Sequence, residues 1–265
     1  MADAGYSIEM RGSIAVFTLN RPHALNAFTH EMMEAWEPEW RRLGADPDVR
    51  VVVLTGTGKG FSAGIDLSGV DMTKIDQLPE LTYGRHWIAQ VQQMPKPTIA
   101  AINGVAVGGG LGLALACDIR VASDQARFGT AFAKIGMPVL DGVGHTLVQA
   151  IGLSRALEML YTAEVIDAAR ADRIGLVSHV WPHAELMDKT FELAERIAAG
   201  PPLGQSLTKH AVYGGLGRSF TDYVPYQYMA VALNSAYAAH DIAEGGLAFR
   251  EKRKPKFTGK RRAAK

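Results

Sequence analysis

The chain has 265 residues, 48% of them hydrophobic, a formal net charge of +1 and a single cysteine, Cys117. That composition is enough for one large core, and one cysteine excludes an intrachain disulfide framework. No apolar run approaches the roughly 18 residues of a membrane span, and the first residues do not resemble a signal or transit peptide. We therefore expect a cytoplasmic protein without a membrane partner.

The charge is unevenly placed along the chain. Eight of the 28 basic residues, but only one of the 27 acidic residues, lie within 251–265. The rest of the chain is therefore net negative and is followed by a basic tail. A nucleic-acid partner would need a broad cationic face with stacking aromatic side chains, which this pattern does not offer. No cluster of His and Cys residues indicates a metal site.

The predicted elements alternate between apolar strands and helices. In chain order, the patterns predict a hairpin over 6–19, a helix over 29–43, a strand at 51–55, a helix at 81–94, a strand at 98–102, a helix at 111–116 and a strand at 119–122. Helices predominate from residue 153, at 154–160, 167–174, 184–199, 204–213 and 223–240, with one strand at 177–181. The order of strand, loop and helix indicates an α/β fold built as a stacked ββα superhelix. We expect a core over 1–200 and a helical region with a basic tail over 201–265.

Two glycine-containing loops, each after an apolar strand, are the most informative feature of the chain. The first is Phe61-Ser-Ala-Gly-Ile-Asp-Leu, and the second is Ala106-Val-Gly-Gly-Gly. Each offers exposed backbone N–H groups, and two such loops brought together make a pair of donors that stabilises an oxyanion or enolate. An isolated glycine triplet would indicate only tight packing of a helix on a strand. The companion loop favours the donor pair.

Residues 60–64 also match the G-x-S-x-G pattern of serine hydrolases, with Ser62 in the place of the nucleophile. That motif requires strand, nucleophile and helix in immediate succession, whereas here residues 55–59 lie between the strand and the motif. A serine hydrolase is therefore a distant alternative. Neither the dinucleotide-binding motif nor the P-loop motif occurs in the chain.

Five segments together resemble the enoyl-CoA hydratase/isomerase (crotonase) superfamily, in order and with the family's spacing from about residue 8 to 257. They begin at Leu19-Asn-Arg-Pro-His, Val52-Val-Leu-Thr-Gly, Lys96-Pro-Thr-Ile-Ala, Cys117-Asp-Ile-Arg and Glu251-Lys-Arg-Lys-Pro-Lys-Phe. The resemblance implies a crotonase-like (ClpP/crotonase) spiral core and a helical C-terminal region used for trimerisation, as a homotrimer or a dimer of trimers. It also implies chemistry on a CoA-thioester enolate.

The same resemblance assigns binding roles to individual residues. It makes the N–H groups of Ile65 and Gly109 the two oxyanion donors. Coenzyme A enters as part of an acyl-CoA substrate, with no prosthetic group, and its adenine, pantetheine and phosphate groups are held by His23, Ala24, Leu25, Ala63 and, from an adjacent subunit or its own, Lys256. By the same resemblance Asn26, Asp66 and Asp118 are structural.

The chain departs from the family's hydratases at two positions. In those enzymes two glutamates flank the catalytic water, and here the corresponding residues are Gly112 and Phe132. Hydration needs one group to activate water and another to handle the proton at the α-carbon, so their loss argues against an ordinary hydratase. The segment Ala131-Phe-Ala-Lys-Ile-Gly instead resembles an isomerase branch of the family whose base is an aspartate a few residues later.

Asp141 is the candidate base, although gapless counting places Leu140 at the family's aspartate position. The alternative interpretation of Asp141 is a turn residue before Gly142. If the turn continues as a helix, His145 shares its face and assists. The acyl pocket is expected to be lined by Met72, Trp87, Gly112, Phe132 and Met137, with simple core packing as the alternative for any one of the four side chains other than Gly112. The predicted function is an enoyl-CoA isomerase or a non-standard hydratase, with a catalytically idle acyl-CoA-binding protein as the alternative.

Overall fold

The computed structural model describes residues 5–68 and 87–260. Its strands are β1 Tyr6–Arg11, β2 Ile14–Leu19, β3 Val51–Gly56, β4 Gly60–Ser62, β5 Thr98–Ile102, β6 Val105–Val107, β7 Ile119–Ser123, β8 Arg127–Gly129, β9 Ile166–Asp167 and β10 His179–Trp181. Its helices are α1 His30–Ala45, α2 Trp87–Gln93, α3 Gly109–Ala116, α4 Val143–Ile151, α5 Leu153–Thr162, α6 Ala168–Arg173, α7 Leu186–Ala198, α8 Pro202–Gly215, α9 Phe220–Tyr237 and α10 Ala239–Arg250.

The strands form two sheets that share a repeated plan. The first strand of each successive pair, β3, β5 and β7, lies in a six-stranded sheet with the order β1-β2-β3-β5-β7-β10, and the second strands β4, β6 and β8 lie in a four-stranded sheet with the order β4-β6-β8-β9. The β3, β5 and β7 pairings are parallel. The fold is therefore the predicted spiral of ββα units, and the loops after β4 and β6 leave the same side of it.

The larger sheet is covered on both faces. Along β3, Val51 and Val53 pack in one cluster with Leu186 of α7, while Val52 and Leu54 pack in the main core on the other face. Successive side chains of a strand point to opposite faces, so a strand covered on both sides is apolar throughout. This explains why residues 51–54 form an uninterrupted apolar run.

The predicted hairpin and the strands at 51–55, 98–102 and 119–122 are confirmed, as is the helix after Thr29, whose side chain accepts a hydrogen bond from the Met32 amide. The prediction of one helix over 223–240 is wrong, because α9 and α10 meet at the non-helical Ala238. The short strands β4, β6, β8 and β9 were not predicted, since two or three residues carry too little periodicity. Of the helix predicted at 81–94, residues 81–86 lie outside the described residues.

The C-terminal helices are joined to the core through a partly buried ion pair. Lys209 of α8 lies 2.9 Å from the Asp118 carboxylate, which also accepts hydrogen bonds from the Tyr213 hydroxyl and from the Thr98 amide. Asp118 is therefore structural, as predicted. A boundary at residue 200 stays a prediction. No helix of the described residues is long and apolar enough to cross a membrane.

Candidate active site

The two glycine loops touch each other through their backbones. Gly64 has a φ of +91°, and a Cβ at this position would lie 2.9 Å from the amide nitrogen of Gly109 and 2.9 Å from the carbonyl oxygen of Val107. A Cβ on Gly110 would collide with the carbonyl oxygen of Ser62. Glycine is therefore required on both sides of the contact, because any side chain would push the loops apart.

Asn26 holds the first loop against the sheet. This fully buried side chain donates hydrogen bonds to the carbonyl oxygens of Thr57 and Gly60, at 2.9 and 2.7 Å, and accepts one from the Arg21 amide at 2.9 Å. Arg21 also pairs with Asp66 at 2.9 Å. Hydrogen bonds from Ser68, together with Arg21, lower the pKa of Asp66 to about 2. Asn26 and Asp66 therefore have the structural role that was predicted for them.

The predicted donor pair, Ile65 and Gly109, lies at this contact. Phe28 flanks Ile65 in a parallel bridge, with the Phe28 amide donating to Gly64 and the Asp66 amide donating to Phe28. Gly109 is the first residue of α3, where backbone N–H groups have no intrahelical acceptor. Within the described parts of the chain, neither the Ile65 nor the Gly109 amide donates a hydrogen bond to another residue. Their joint action on one oxygen stays a prediction.

The side chain of Asp141 lies beside the second loop. Its Oδ2 atom is 3.0 Å from the point that a Cβ of Gly109 would occupy. The Asp141 carboxylate makes no hydrogen bond or ion pair with the other described residues. Burial raises the pKa of Asp141 to about 6, because removing a carboxylate from water disfavours its charged form. A carboxylate with this pKa can accept and return protons near neutral pH.

The backbone turns sharply to place this carboxylate. Asp141 has a φ of +57° and the following Gly142 a φ of +67°, and aspartate and glycine are among the residues that tolerate the left-handed region. The turn aspartate predicted as an alternative is thus present, and it is the same residue that faces Gly109. Leu140, at the position reached by gapless counting, packs instead against the main core.

A side chain at Gly112 would lie close to atoms of α2, α4 and the turn at Asp141. A Cβ there would lie 2.9 Å from Cδ1 of Ile88, 3.1 Å from Cγ2 of Val143 and 3.3 Å from the carbonyl oxygen of Asp141. A side chain at this position would therefore require small shifts of Ile88 and Val143. The first turn of α3 holds no carboxylate, and Asp141 is the acidic group next to it.

Asp141 and His145 do not lie on one helix. The helix begins at Val143 and Asp141 stands outside it with a left-handed backbone, so the predicted i,i+4 relationship does not hold. The His145 side chain is exposed and its ring lies 2.9 Å from the Gln149 amide nitrogen. The prediction of a shared face is wrong for this reason.

The structure describes only some of the side chains predicted to line the acyl pocket. Phe132 is 7% exposed and packs in the main core, and Met137 is half-buried with its amide bonded to the Phe132 carbonyl oxygen. Trp87 begins α2, but its side chain lies outside the described residues, as does Met72. Their role in an acyl pocket stays a prediction.

The residues predicted to bind coenzyme A fall into two places. His23, Ala24 and Leu25 lie in and just after a short 3-10 helix at Pro22–Ala24, and the Ala63 amide donates to the Leu25 carbonyl oxygen at 2.9 Å, so this group adjoins the first glycine loop. Lys256 lies elsewhere, since the next residue's carbonyl oxygen accepts from Arg50, just before β3. That is the amino end of the strand, opposite to the glycine loops.

Ser62 does not have the environment of a nucleophile. It is fully buried, its hydroxyl donates to the Asn26 carbonyl oxygen at 2.8 Å, and the Ser62 hydroxyl oxygen accepts a hydrogen bond from the Gly64 amide at 3.1 Å. The hydroxyl therefore holds the loop. Across residues 5–68 and 87–260, no group of three or more His, Cys, Asp or Glu side chains is placed to hold a metal ion.

Ile88 and Val143 were missed as residues of this site. Each is an ordinary aliphatic position in a helix, and nothing in the sequence distinguishes such a position from the rest of the core. Only the distances from Gly112 reveal them.

The enoyl-CoA hydratase/isomerase family model matches residues 9–260. The chain belongs to this family. It is 35% identical to the short-chain-enoyl-CoA hydratase of Clostridium acetobutylicum, over 93% of this chain and 95% of that protein. It is 38% identical to the (E)-benzylidenesuccinyl-CoA hydratase of Thauera aromatica, over 96% and 98%. The crystal structure of an enoyl-CoA hydratase from Bacillus anthracis superposes with a TM-score of 0.89 at 32% identity, covering 97% of this chain and all of that one.

Proposed function

We propose that this family member is an enoyl-CoA isomerase that converts a 3-enoyl-CoA into a 2-enoyl-CoA. The observation that carries the proposal is the Asp141 carboxylate beside Gly109, next to a first turn of α3 that contains no acidic residue. One carboxylate suffices to move a proton between two carbons, whereas the family's hydration uses two glutamates.

The proposed reaction assigns one task to each group. The thioester oxygen accepts hydrogen bonds from the amides of Ile65 and Gly109, and each donor is worth about 3 kcal/mol to the developing enolate. Asp141 takes a proton from the α-carbon, and the electrons of that C–H bond form the dienolate. The protonated carboxyl then returns a proton to the γ-carbon, the carbonyl re-forms and the double bond lies between the α- and β-carbons. No water is consumed.

Binding of the substrate uses the rim of the first loop. His23, Ala24, Leu25 and Ala63 are proposed to hold the adenine and pantetheine parts of coenzyme A through their backbones. Because Lys256 lies near the amino end of β3 rather than beside the first glycine loop, it is proposed to meet a phosphate at the site of a neighbouring subunit. Coenzyme A is part of the substrate in this proposal, and a cytoplasmic location stays a prediction.

Assembly into a homotrimer, or a dimer of trimers, is supported by the apolar surface of the C-terminal helices. Phe220, Tyr228, Val231 and Phe249 are 55–85% exposed in the single chain, and patches of this kind mark interfaces. Sedimentation equilibrium tests this assembly. The expected result is a mass equal to that of three or six chains. A monomer at micromolar concentration would contradict it.

The reaction is tested by incubating the purified protein with 3-enoyl-CoA and 2-enoyl-CoA thioesters beside Asp141→Asn. Isomerisation that is lost in this variant supports the proposal. Isomerisation that survives the substitution rules out Asp141 as the base. Binding without turnover of any thioester favours the idle acyl-CoA-binding protein, and hydration at rates typical of the relatives shows that a second acid–base pair exists.

A further inference from the structure

Phe28 lies between the two glycine loops and contacts both of them. It is fully buried in the stretch just before α1. Its backbone pairs with the first loop, since its amide donates to the Gly64 carbonyl oxygen and its own carbonyl oxygen accepts from the Asp66 amide, each at 2.9 Å. Its ring reaches the second loop, with Cζ 3.1 Å and Cε2 3.5 Å from the point that a Cβ of Gly109 would occupy.

The hydrogen bond to Gly64 determines which way the Ile65 amide points. The Gly64 carbonyl group and the Ile65 N–H group belong to one peptide unit, which is planar and trans. In such a unit the C=O and N–H bonds point in opposite directions. Because the carbonyl oxygen is held toward Phe28, the Ile65 N–H is held away from it. The backbone of Phe28 therefore fixes the direction of the first proposed donor.

The ring of Phe28 supports the second proposed donor. Two of its carbons and Oδ2 of Asp141 lie within 3.5 Å of the Cβ position of Gly109, whose α-carbon is bonded to the donor nitrogen. The ring also packs edge-on against Trp36, with 5.2 Å between the ring centroids and 68° between the planes. In a densely packed core a ring held in this way cannot swing aside. Its tip is therefore a fixed stop beside Gly109.

We propose that Phe28 is a positioning residue of the oxyanion site, which sets the separation of the two donor amides and so the strength with which they polarise the thioester carbonyl. This rests on the donor pair of the proposed function. Neither donor is a side chain, so their geometry depends on a neighbour that touches both loops. A misplacement of about 1 Å in such a site can cost about 100-fold in rate.

The test measures the carbonyl group of a bound thioester in the full-length protein and needs no turnover. Butanoyl-CoA labelled with carbon-13 at the carbonyl is saturated and cannot isomerise. Infrared difference spectroscopy reports how far binding lowers its C=O stretching frequency, and stronger hydrogen bonds to the oxygen lower it further. The variants are Phe28→Leu and Phe28→Ile, so that one remains if the other fails to fold.

Phe17→Leu is the matched control. Phe17 is also fully buried and also packs edge-on against Trp36, with 5.8 Å between the ring centroids. It lies in β2, however, and its ring stacks on Tyr6 and Trp40. A leucine at this position removes a similar volume from the same aromatic cluster, so it reports the effect of loosening the core.

We expect the Phe28 variants to keep the backbone bond to Gly64 and to lose the ring contact with Gly109. Since one of two donors is then released, the lowering of the carbonyl frequency falls by about half, whereas Phe17→Leu keeps the wild-type value. With a 3-enoyl-CoA, kcat falls about tenfold or more and KM changes much less, because the donors bind the developing enolate more strongly than the ground state. An unchanged frequency in the Phe28 variants, or an equal loss in Phe17→Leu, overturns the proposal.

Failure of the proposed function gives a different result. A wild type that lowers the frequency of bound butanoyl-CoA but does not isomerise a 3-enoyl-CoA overturns the isomerase alone, and the infrared comparison still decides the role of Phe28. A wild type that does not bind the thioester, or binds it without lowering this frequency, overturns the donor pair and the role of Phe28 together.

Discussion

The carboxylate of Asp141 lies 3.0 Å from the position that a Cβ of Gly109 would occupy, at the point where α3 begins. In the proposed reaction, the Gly109 amide donates to the thioester oxygen, and Asp141 removes a proton from the α-carbon, which is two bonds away from that oxygen. The two groups lie close together because a short turn with two positive φ angles brings Asp141 to the start of the helix.

Replacing Asp141 by Asn is expected to lower the rate of isomerisation by about 100-fold or more, which is the usual contribution of a positioned base. Asparagine also tolerates the left-handed backbone at this position, so the fold is retained. The measurement is the steady-state rate with a 3-enoyl-CoA. Asp48→Asn, at an exposed position, is the control and should leave the rate unchanged.

The same variant is expected to be more stable than the wild type at pH 8. The folded-state pKa of Asp141, about 6, lies above its ordinary value, so the fold favours the protonated acid. Its contribution to stability is present below pH 4 and is lost as the pH rises through 6. Asp141→Asn should therefore gain about 1–3 kcal/mol at pH 8 and nothing at pH 4. Urea denaturation at pH 4 and pH 8 measures the two free energies of unfolding. An equal gain in stability at both pH values would contradict the raised pKa of Asp141 as the cause.

The rate should depend on pH with a single acidic limb. Because Asp141 acts as a base only when ionised, kcat/KM is expected to fall about tenfold per pH unit below 6 and to level off above it. A pH profile from 4.5 to 8 measures the limb. A profile that is flat through pH 6 would show that another group removes the proton.

Gly64→Ala is expected to disrupt the oxyanion site, because a methyl group there would lie 2.9 Å from the Gly109 amide nitrogen. The loss of one donor typically costs about 100- to 1,000-fold in rate. Gly12→Ala is the matched control, since Gly12 also has a positive φ, +59°, but has no atom within 4 Å of its Cβ position. Equal losses of activity in both variants would indicate backbone strain rather than a blocked donor.

Lys209→Met is expected to lower the free energy of unfolding by about 3 kcal/mol, since it leaves the partly buried carboxylate of Asp118 without its cation. Adding Asp118→Asn should recover part of that loss, because the unpaired charge disappears. Thermal unfolding of the single and double variants checks the sign of this coupling. Purely additive losses would show that the pair does not join α8 to the core.

The sequence predicted the parts of the fold whose residues carry a long or uniform pattern. The apolar run at 51–54 predicted a covered strand, and the alternation over 6–19 predicted the hairpin. In both cases the order of apolar and polar side chains indicates which faces of the strand are buried. The break at Ala238 and the three-residue strands had no such pattern. Their boundaries depend on contacts with elements far away in the chain.

The sequence by itself determined the family, the two glycine loops and the absence of glutamate at positions 112 and 132, since these are matters of residue type and spacing. Only the tertiary structure decided that the Asp141 carboxylate lies beside Gly109 while Leu140 packs against the core, that Asp141 stands outside the helix that carries His145, and that Ile88 and Val143 lie next to Gly112. Those outcomes depend on the backbone turn at Asp141 and on how α2 and α4 pack on α3. A turn and a packing contact are set by atoms from several segments at once, and no single segment encodes them.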